Sequence, residues 1–236
     1  MRPTVLLFDI DGTLVTTPGC GRRALERAFT LRYGRTGVLT GIRFDGMTDR
    51  GIVRGGLATI GEVADGPTAE TAIDAILADY VPFLEDEIAQ VQLTLHRGAG
   101  DLLDAVSGHP GVAVGLGTGN IRLGARAKLA PLGVFDHFAF GGFGCDHEDR
   151  EVILRLGAER GAATLGVARG ACRVVVIGDT PRDVAGAHAI GAECVAVAGA
   201  RFARDELAAA GASWAVEHLG DPEVLTMLLP DAAGSR

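Results

Sequence analysis

The chain has 236 residues, 47% of them hydrophobic and only 5% aromatic. This length suits one large domain, or a core with a small accessory domain, and aliphatic side chains must fill its interior. The net charge of −8, with no basic face, argues against nucleic acid and anionic membranes as partners. The four cysteines form no C-x-x-C pair, so the sequence does not support a zinc or thioredoxin-like site. No apolar stretch reaches membrane-spanning length, and the N-terminal apolar run is too short for a signal peptide. We therefore expect a soluble, cytoplasmic protein.

Apolar, strand-like segments alternate with helical ones along most of the chain. The predicted strands cover residues 4–8, 112–117, 138–143, 173–177 and 194–198. The predicted helices cover about 123–132, 150–160 and 182–189. This alternation predicts an α/β fold with a doubly wound, Rossmann-like parallel sheet, which binds ligands at the carboxyl ends of its strands. We expect the tail after Pro230 to fray.

Residues 17–95 interrupt the alternation and show helical periodicity instead. We therefore predict a core domain formed by residues 1–16 and 96–236, with a small helical cap, 17–95, inserted after the first strand. Such an insert can close over an active site, although it could also be a packing subdomain without a role in substrate choice. Its candidate substrate contacts are Arg22, Arg43, Asp49 and Arg50, although surface exposure is the commoner explanation for an Arg.

The first strand is followed by the sequence Asp-Ile-Asp-Gly-Thr at residues 9–13. Asp9 and Asp11, spaced i, i+2 at the end of a strand, lie on one side of the chain, and Gly12 permits a tight turn after them. Two adjacent carboxylates are costly unless a cation neutralises them or one is protonated. The motif therefore predicts a divalent metal, with one acid attacking and the other carrying a proton.

The second strand ends in Gly-Thr-Gly-Asn at residues 117–120. The Thr118 hydroxyl and the backbone N–H groups that follow, at Gly119 and Asn120, could cradle a phosphate. A simple turn that starts a helix explains the same residues equally well.

Two acids, Asp179 and Asp183, follow the fourth strand with i, i+4 spacing at the start of a helix. They could face the same site as the first motif, and an all-oxygen ligand set fits Mg²⁺. Helix capping is the alternative interpretation, and it accounts for one Asp better than for two. A phosphate site with several acids also needs a fixed cation, for which Arg150 is our candidate because its guanidinium offers permanent charge and fork geometry.

The order of these motifs resembles the haloacid dehalogenase superfamily over roughly residues 4 to 200. The helical insert after the first strand is similar to the cap of the phosphoglycolate phosphatase-like group, as is the segment Asp-Gly-Met-Thr-Asp at 45–49. The resemblance implies that Asp9 is the nucleophile that forms an aspartyl-phosphate and that Asp11 is the acid and base. It also implies that Asp9, the Asp11 carbonyl and Asp179 bind Mg²⁺ with support from Asp183.

The resemblance further implies that Thr118 and a basic residue hold the phosphoryl group. The superfamily usually has Lys at the basic position, where this chain has Arg150. The rival is Lys128, which we expect at the surface because it falls within a helix.

The resemblance implies a phosphatase acting on a small phosphorylated metabolite such as phosphoglycolate. A β-phosphoglucomutase-like sugar phosphomutase and a non-catalytic phosphate-binding protein are the alternatives. The sequence does not indicate the oligomeric state.

Overall fold

The computed structural model describes residues 2–229, so the predicted fraying of the tail after Pro230 lies outside the described residues. The strands are β1 Thr4–Phe8, β2 Val15–Thr16, β3 Thr94–Leu95, β4 Val112–Gly117, β5 Phe140–Gly142, β6 Arg173–Gly178, β7 Glu193–Val197 and β8 Trp214–Val216. The helices are α1 Cys20–Tyr33, α2 Asp49–Thr59, α3 Gly66–Ala89, α4 Ala99–Val106, α5 Arg122–Leu129, α6 Arg150–Thr164, α7 Pro181–Ala189, α8 Arg204–Ala209 and α9 Pro222–Leu228. Within residues 2–229, none of the helices combines the length and the apolarity needed to cross a membrane.

Six parallel strands form one sheet in the order β5-β4-β1-β6-β7-β8. Strand β1 is completely buried and lies between β4 and β6, so Phe8 pairs with Leu116 on one side and Ile177 on the other. The predicted parallel α/β sheet is therefore confirmed. Because parallel strands end at the same edge, the residues that follow β1, β4 and β6 meet in space.

Two parts of the sheet differ from the prediction. The third predicted strand, 138–143, is reduced to β5, where α6 packs so closely that a side chain at Gly142 would collide with the backbone of Ile153. The sixth strand, β8, was not predicted: it has three residues, two of them only partly buried, which is too short for a periodic signal.

Helices α1, α2 and α3 form an insert between β2 and β3, which pair antiparallel as a two-stranded ribbon. The insert has its own hydrophobic cluster, which includes Leu25, Phe29 and Tyr80. Its loop before α2 contacts the core, where the Asp49 N–H donates to the Gly119 carbonyl oxygen at 2.9 Å. The insert therefore lies against the edge of the sheet where β4 ends.

Candidate active site

A cavity of about 350 Å³ lies between the insert and the carboxyl ends of β1, β4 and β6. The core contributes acidic and basic side chains to its lining, whereas the insert contributes mainly apolar ones. The lining includes Asp9, Asp11, Asn120, Lys128, Arg150 and Asp179 from the core, and Leu25, Phe44, Met47, Ile52 and Tyr80 from the insert. The cavity therefore has a charged floor beneath a largely apolar roof.

The turn after β1 brings the first two acids to the cavity floor. Gly12 has a φ of +85°, and a side chain there would collide with the Asp179 carboxylate, so glycine is required on both counts. Asp9 is buried, whereas the side chain of Asp11 remains 42% exposed toward the cavity. The tight turn thus lets the end of β6 approach the end of β1.

Asp9, Asp179 and Asp183 form a buried acidic cluster in which one carboxylate oxygen from each lies within 4.8 Å of the others. The Thr13 hydroxyl donates to Asp179 Oδ1 at 3.2 Å. Burial, together with the charges of Asp183 and Asp9, raises the pKa of Asp179 to about 8. Burial also raises the pKa of Asp9 to about 6, although the Arg150 guanidinium opposes this shift.

Asp183 is held by groups on two helices. It completes a capping box with Thr180, whose N–H and hydroxyl donate to Asp183 Oδ2 at 3.0 and 2.7 Å. Its other oxygen accepts a hydrogen bond from the Arg150 guanidinium. Asp183 therefore takes part in capping α7, which was one interpretation of the sequence. The same hydrogen bonds fix its carboxylate beside those of Asp9 and Asp179.

The charges around the cavity floor fit a bound divalent cation. Four carboxylates (Asp9, Asp11, Asp179, Asp183) face two cations, Lys128 and Arg150, which leaves two negative charges uncompensated when every group is ionised. Burial is the largest cause of the raised pKa of Asp179, and the charges of Asp183 and Asp9 add to it, since adjacent carboxylates resist ionisation without a neutralising partner. An oxygen-only donor set with this charge suits a hard cation such as Mg²⁺.

Arg150 begins α6, and its side chain reaches the acidic cluster. It is 9% exposed, and its Nη2 lies 3.3 Å from Asp9 Oδ2. Burial disfavours its charged form, but Asp183 and Asp9 together raise its pKa above the ordinary value. Its Nε is buried and has no hydrogen-bond partner among residues 2–229.

The residues after β4 complete the floor. The Thr118 hydroxyl is fully buried and accepts hydrogen bonds from the Asn120 backbone N–H at 3.2 Å and from its Nδ2 at 3.0 Å. Gly119 and Asn120 line the cavity. A side chain at Gly119 would collide with the Met47 carbonyl oxygen of the insert, so this glycine lets the two parts of the chain touch.

The expectation that Lys128 lies at the surface is wrong. The residue is 4% exposed, and its Nζ donates to Asp11 Oδ2 at 2.5 Å and to Asn120 Oδ1 at 2.6 Å. The reason is the rotation of α5, whose buried face also carries Gly124, one turn before Lys128. Lys128 and Arg150 are therefore both at the site, each beside a different acid of the first motif.

The structure separates the four candidate substrate contacts of the insert into two pairs. Arg22 and Asp49 line the cavity. Arg50 instead pairs with Glu70 and Asp74 of α3, and the Arg43 side chain is 83% exposed, so neither belongs to the lining. Arg43 thus agrees with the alternative of surface exposure, whereas the ion-pair partners of Arg50 lie on another helix, distant in sequence.

Arg22 donates through Nη1 to the Leu39 carbonyl oxygen at 2.5 Å and through Nη2 to that of Ile42 at 2.7 Å. Its guanidinium lies 3.9 Å from the centre of the Phe44 ring. Within residues 2–229, no carboxylate lies within ion-pair distance of Arg22, so its positive charge is not neutralised by the protein.

Asp49 joins the insert to the core. Its Oδ2 accepts the backbone N–H of Ile121, immediately before α5, at 2.8 Å. Burial raises the pKa of Asp49 to about 6, against the opposing effect of the Lys128 charge. Its carboxylate is thus occupied by a contact between insert and core.

Two threonines near the first motif were not predicted as site residues. Thr13 binds Asp179, as described above, and the Thr17 hydroxyl donates to Asp11 Oδ1 at 2.9 Å. Thr13 belongs to the first motif, so the sequence did indicate that it lies near the site. Thr17 follows a turn and a short strand, and no local pattern indicates that it returns to Asp11.

Comparison with known proteins identifies a family for this chain and finds solved structures with the same fold. Residues 3–191 match the sequence model of the haloacid dehalogenase-like hydrolases. No curated protein sequence matches the chain.

Several solved structures are similar over almost the whole chain. A predicted phosphatase from Clostridium acetobutylicum superposes with a TM-score of 0.68 at 17% identity, covering 98% of this chain and 100% of that one. A predicted phosphoglycolate phosphatase from Haemophilus somnus 129pt gives 0.64 at 14% identity, with 96% and 98% covered. CbbY from Rhodobacter sphaeroides, solved with phosphate, gives 0.64 at 20% identity, with 92% and 93% covered. At these identities the likeness establishes the fold alone.

Proposed function

Because this chain belongs to the haloacid dehalogenase-like hydrolase family, we propose that it is a Mg²⁺-dependent phosphatase acting on a small phosphomonoester. The observation that carries the proposal is the buried acidic cluster at the cavity floor, with a cation beside each acid of the first motif. Such a floor can bind a phosphoryl group and its metal together, and phosphoryl transfer depends mainly on positioning and charge neutralisation.

Arg150 and Thr118 are the proposed ligands of the transferred phosphoryl group. Arg150 contributes its permanent charge beside Asp9, where its Nη2 lies 3.3 Å from Oδ2. Thr118 contributes a buried hydroxyl whose hydrogen bond lowers the pKa of Asp9, against the larger effect of burial. Asp9, the Asp11 carbonyl and Asp179 would hold Mg²⁺, with Asp183 in support. When bound, the metal would neutralise charge on the phosphoryl oxygens.

In the first step, an Asp9 carboxylate oxygen attacks phosphorus and forms an aspartyl-phosphate. The bond between phosphorus and the leaving oxygen breaks, and the Asp11 carboxyl gives its proton to that oxygen, so an alcohol departs. The Arg150 guanidinium lies beside the attacking oxygen, where it can stabilise negative charge on the equatorial phosphoryl oxygens.

In the second step, water attacks the phosphorus of the aspartyl-phosphate. Asp11, now ionised, accepts a proton from this water, and the bond between Asp9 and phosphorus breaks to release inorganic phosphate. Burial raises the pKa of Asp11, but the Lys128 charge and the hydrogen bonds from Lys128, Asn120 and Thr17 lower it below its ordinary value, so these groups stabilise the ionised Asp11 that acts as the base.

We propose that the helical insert, residues 17–95, acts as a cap on a core formed by residues 1–16 and 96–236. Its apolar side chains roof the cavity, and its loop reaches the core through Asp49. A closed roof would limit the water available to the phosphoryl group before the leaving group has departed.

The proposed substrate is a small phosphorylated metabolite with a second negative charge, such as a phosphoglycolate-like ester. A cavity of about 350 Å³ suits a small molecule, and the Arg22 charge within it has no carboxylate partner in residues 2–229. A carboxylate on the leaving group would be attracted by this charge.

The test is phosphate release from a panel of small phosphomonoesters, including phosphoglycolate, with Mg²⁺ and with EDTA. We expect Mg²⁺-dependent release, fastest for esters that carry a carboxylate. Interconversion of sugar phosphate isomers without net phosphate release would instead indicate a phosphomutase. Binding of phosphate esters by the folded protein without turnover would indicate a non-catalytic binding protein.

A further inference from the structure

Lys128 is the only lysine in a chain that otherwise uses Arg for every basic side chain. It is also buried, with its ammonium facing the cavity. An ammonium is a compact point charge that fits between two closely spaced oxygens, whereas a guanidinium needs a wider, planar site. Lys128 makes such a contact, since its Nζ lies within hydrogen-bond distance of one oxygen of Asp11 and one oxygen of Asn120.

The ammonium of Lys128 links two groups of the site. It donates to Asp11 Oδ2 at 2.5 Å and to Asn120 Oδ1 at 2.6 Å, while Asn120 Nδ2 donates to the same Asp11 oxygen at 2.9 Å. Asn120 in turn donates to the Thr118 hydroxyl. The three side chains thus form one network that connects the Asp11 carboxylate to the residues that follow β4.

The opposite side of Asp11 is fixed as well. The Thr17 hydroxyl donates to Oδ1 at 2.9 Å, so donors from three separate segments determine the plane of the carboxylate. This restraint matters because the Asp11 side chain is 42% exposed, so packing alone does not select one rotamer.

A purely structural role explains this arrangement poorly. Taking an ammonium out of water costs several kcal/mol per ion, which a partly exposed carboxylate offsets only in part, and an apolar side chain would pack on this face of α5 without that cost. The neighbouring buried positions of α5, Gly124, Ala125 and Leu129, carry no charge. The ammonium is therefore explained by what it binds at the cavity.

We propose that Lys128 is a positioning residue that orients the Asp11 carboxyl group toward the leaving oxygen and stabilises the carboxylate that forms as its proton is transferred. The inference rests on the proposed phosphatase function. Lys128 acts through Asp11, whereas Arg150 beside Asp9 binds the phosphoryl group. The two cations of the site thus serve different acids and different parts of the reaction.

This division of labour can be measured with two aryl esters of similar shape, phenyl phosphate and p-nitrophenyl phosphate. Phenolate is the poorer leaving group and depends on proton donation, whereas p-nitrophenolate departs with little help. General acid catalysis typically contributes about 10²–10⁴-fold. We expect Lys128→Met to lower kcat/KM for phenyl phosphate by about 10²-fold, and for p-nitrophenyl phosphate by less than about 10-fold.

Three further variants make the result specific. Arg126→Met removes an exposed charge from the same helix and should leave both values unchanged. Lys128→Gln, neutral but able to donate a hydrogen bond, should give an intermediate loss and replaces Lys128→Met if that protein does not fold. In an Asp11→Asn background, Lys128→Met should lower kcat/KM for phenyl phosphate little further, because the effects of residues that act as a unit do not add.

Several outcomes would overturn the inference. An equal loss for both esters would assign Lys128 to phosphate binding or to structure, and a fully additive double variant would show that it does not act through Asp11. Unchanged kinetics in Lys128→Met would remove it from the reaction. If the folded wild-type protein released no phosphate from any ester, the proposed function itself would fail, and the role of Lys128 with it.

Discussion

Replacing Asp179 with Asn separates the electrostatic cost of the acidic cluster from its capacity to bind metal. Asp179 is 8% exposed, and burial with the charges of Asp183 and Asp9 raises its pKa from 3.8 to about 8. Between these values the unfolded chain has released the proton that the native protein retains. The free energy of unfolding therefore falls as the pH rises through this range, by about 1.4 kcal/mol per pH unit from this group.

The full shift sets an upper bound of about 6 kcal/mol on the cost of ionised Asp179 without metal. Relaxation and water entry reduce such costs, so we expect Asp179→Asn to raise the free energy of unfolding by about 1–3 kcal/mol at about pH 8 in EDTA. The substitution is suitable because Asn keeps an oxygen that can accept the 3.2 Å hydrogen bond from Thr13.

Mg²⁺ should reverse this order. Binding to the native state stabilises the wild type by about 4.1 kcal/mol at a concentration about one thousand times Kd, which exceeds the expected gain from Asp179→Asn, whereas the variant lacks a ligand and gains little. Urea unfolding followed by circular dichroism, in EDTA and in Mg²⁺, measures both effects, with the exposed Asp136→Asn as the matched control. The reasoning is refuted if Asp179→Asn destabilises the metal-free protein or is stabilised by Mg²⁺ as much as the wild type is.

Two further predictions concern the phosphate-binding floor and the contact with the insert. Arg150→Met removes the ion-pair partner of two buried carboxylates, Asp9 and Asp183, so the free energy of unfolding in EDTA should fall by about 3 kcal/mol. Mg²⁺ should reduce this loss. An equal fall in Arg155→Met, on the exposed face of α6, would contradict the prediction. Gly119→Ala would place a methyl group 2.3 Å from the Met47 carbonyl oxygen, so the two backbone segments must separate; we expect kcat/KM to fall by about 10-fold or more and the unfolding midpoint to fall as well. Gly170→Ala, where the added methyl group meets open space, is its control, and the prediction fails if the two variants have the same kinetics.

The centre of the sheet could be predicted because each of its strands is an apolar run that ends in a polar motif. Strand β1 is fully buried and directly precedes Asp9, and β6 directly precedes Asp179. Local sequence therefore contained both the strand and the residues at its end. Strand β8 could not be predicted, because its three residues at the edge of the sheet are held by pairing with β7.

The burial of Lys128 could not be predicted either, for a different reason. The helix itself was expected, but which of its faces points inward depends on packing against the rest of the fold. Gly124 and Ala125 were a partial signal, since small residues one turn before Lys128 can mark the buried face of a helix. Arg50 shows the converse: its partners Glu70 and Asp74 lie on another helix, so its sequence neighbours give no indication of where it points.

The measurement that tests the central claim most directly is phosphate release by wild type and Asp9→Asn, each confirmed to be folded, in Mg²⁺. Asn has nearly the shape of Asp but is a far weaker nucleophile, so it should leave the fold intact while preventing formation of the aspartyl-phosphate. The account predicts Mg²⁺-dependent release by the wild type and none above background by Asp9→Asn. Release by Asp9→Asn at a rate near that of the wild type would contradict it.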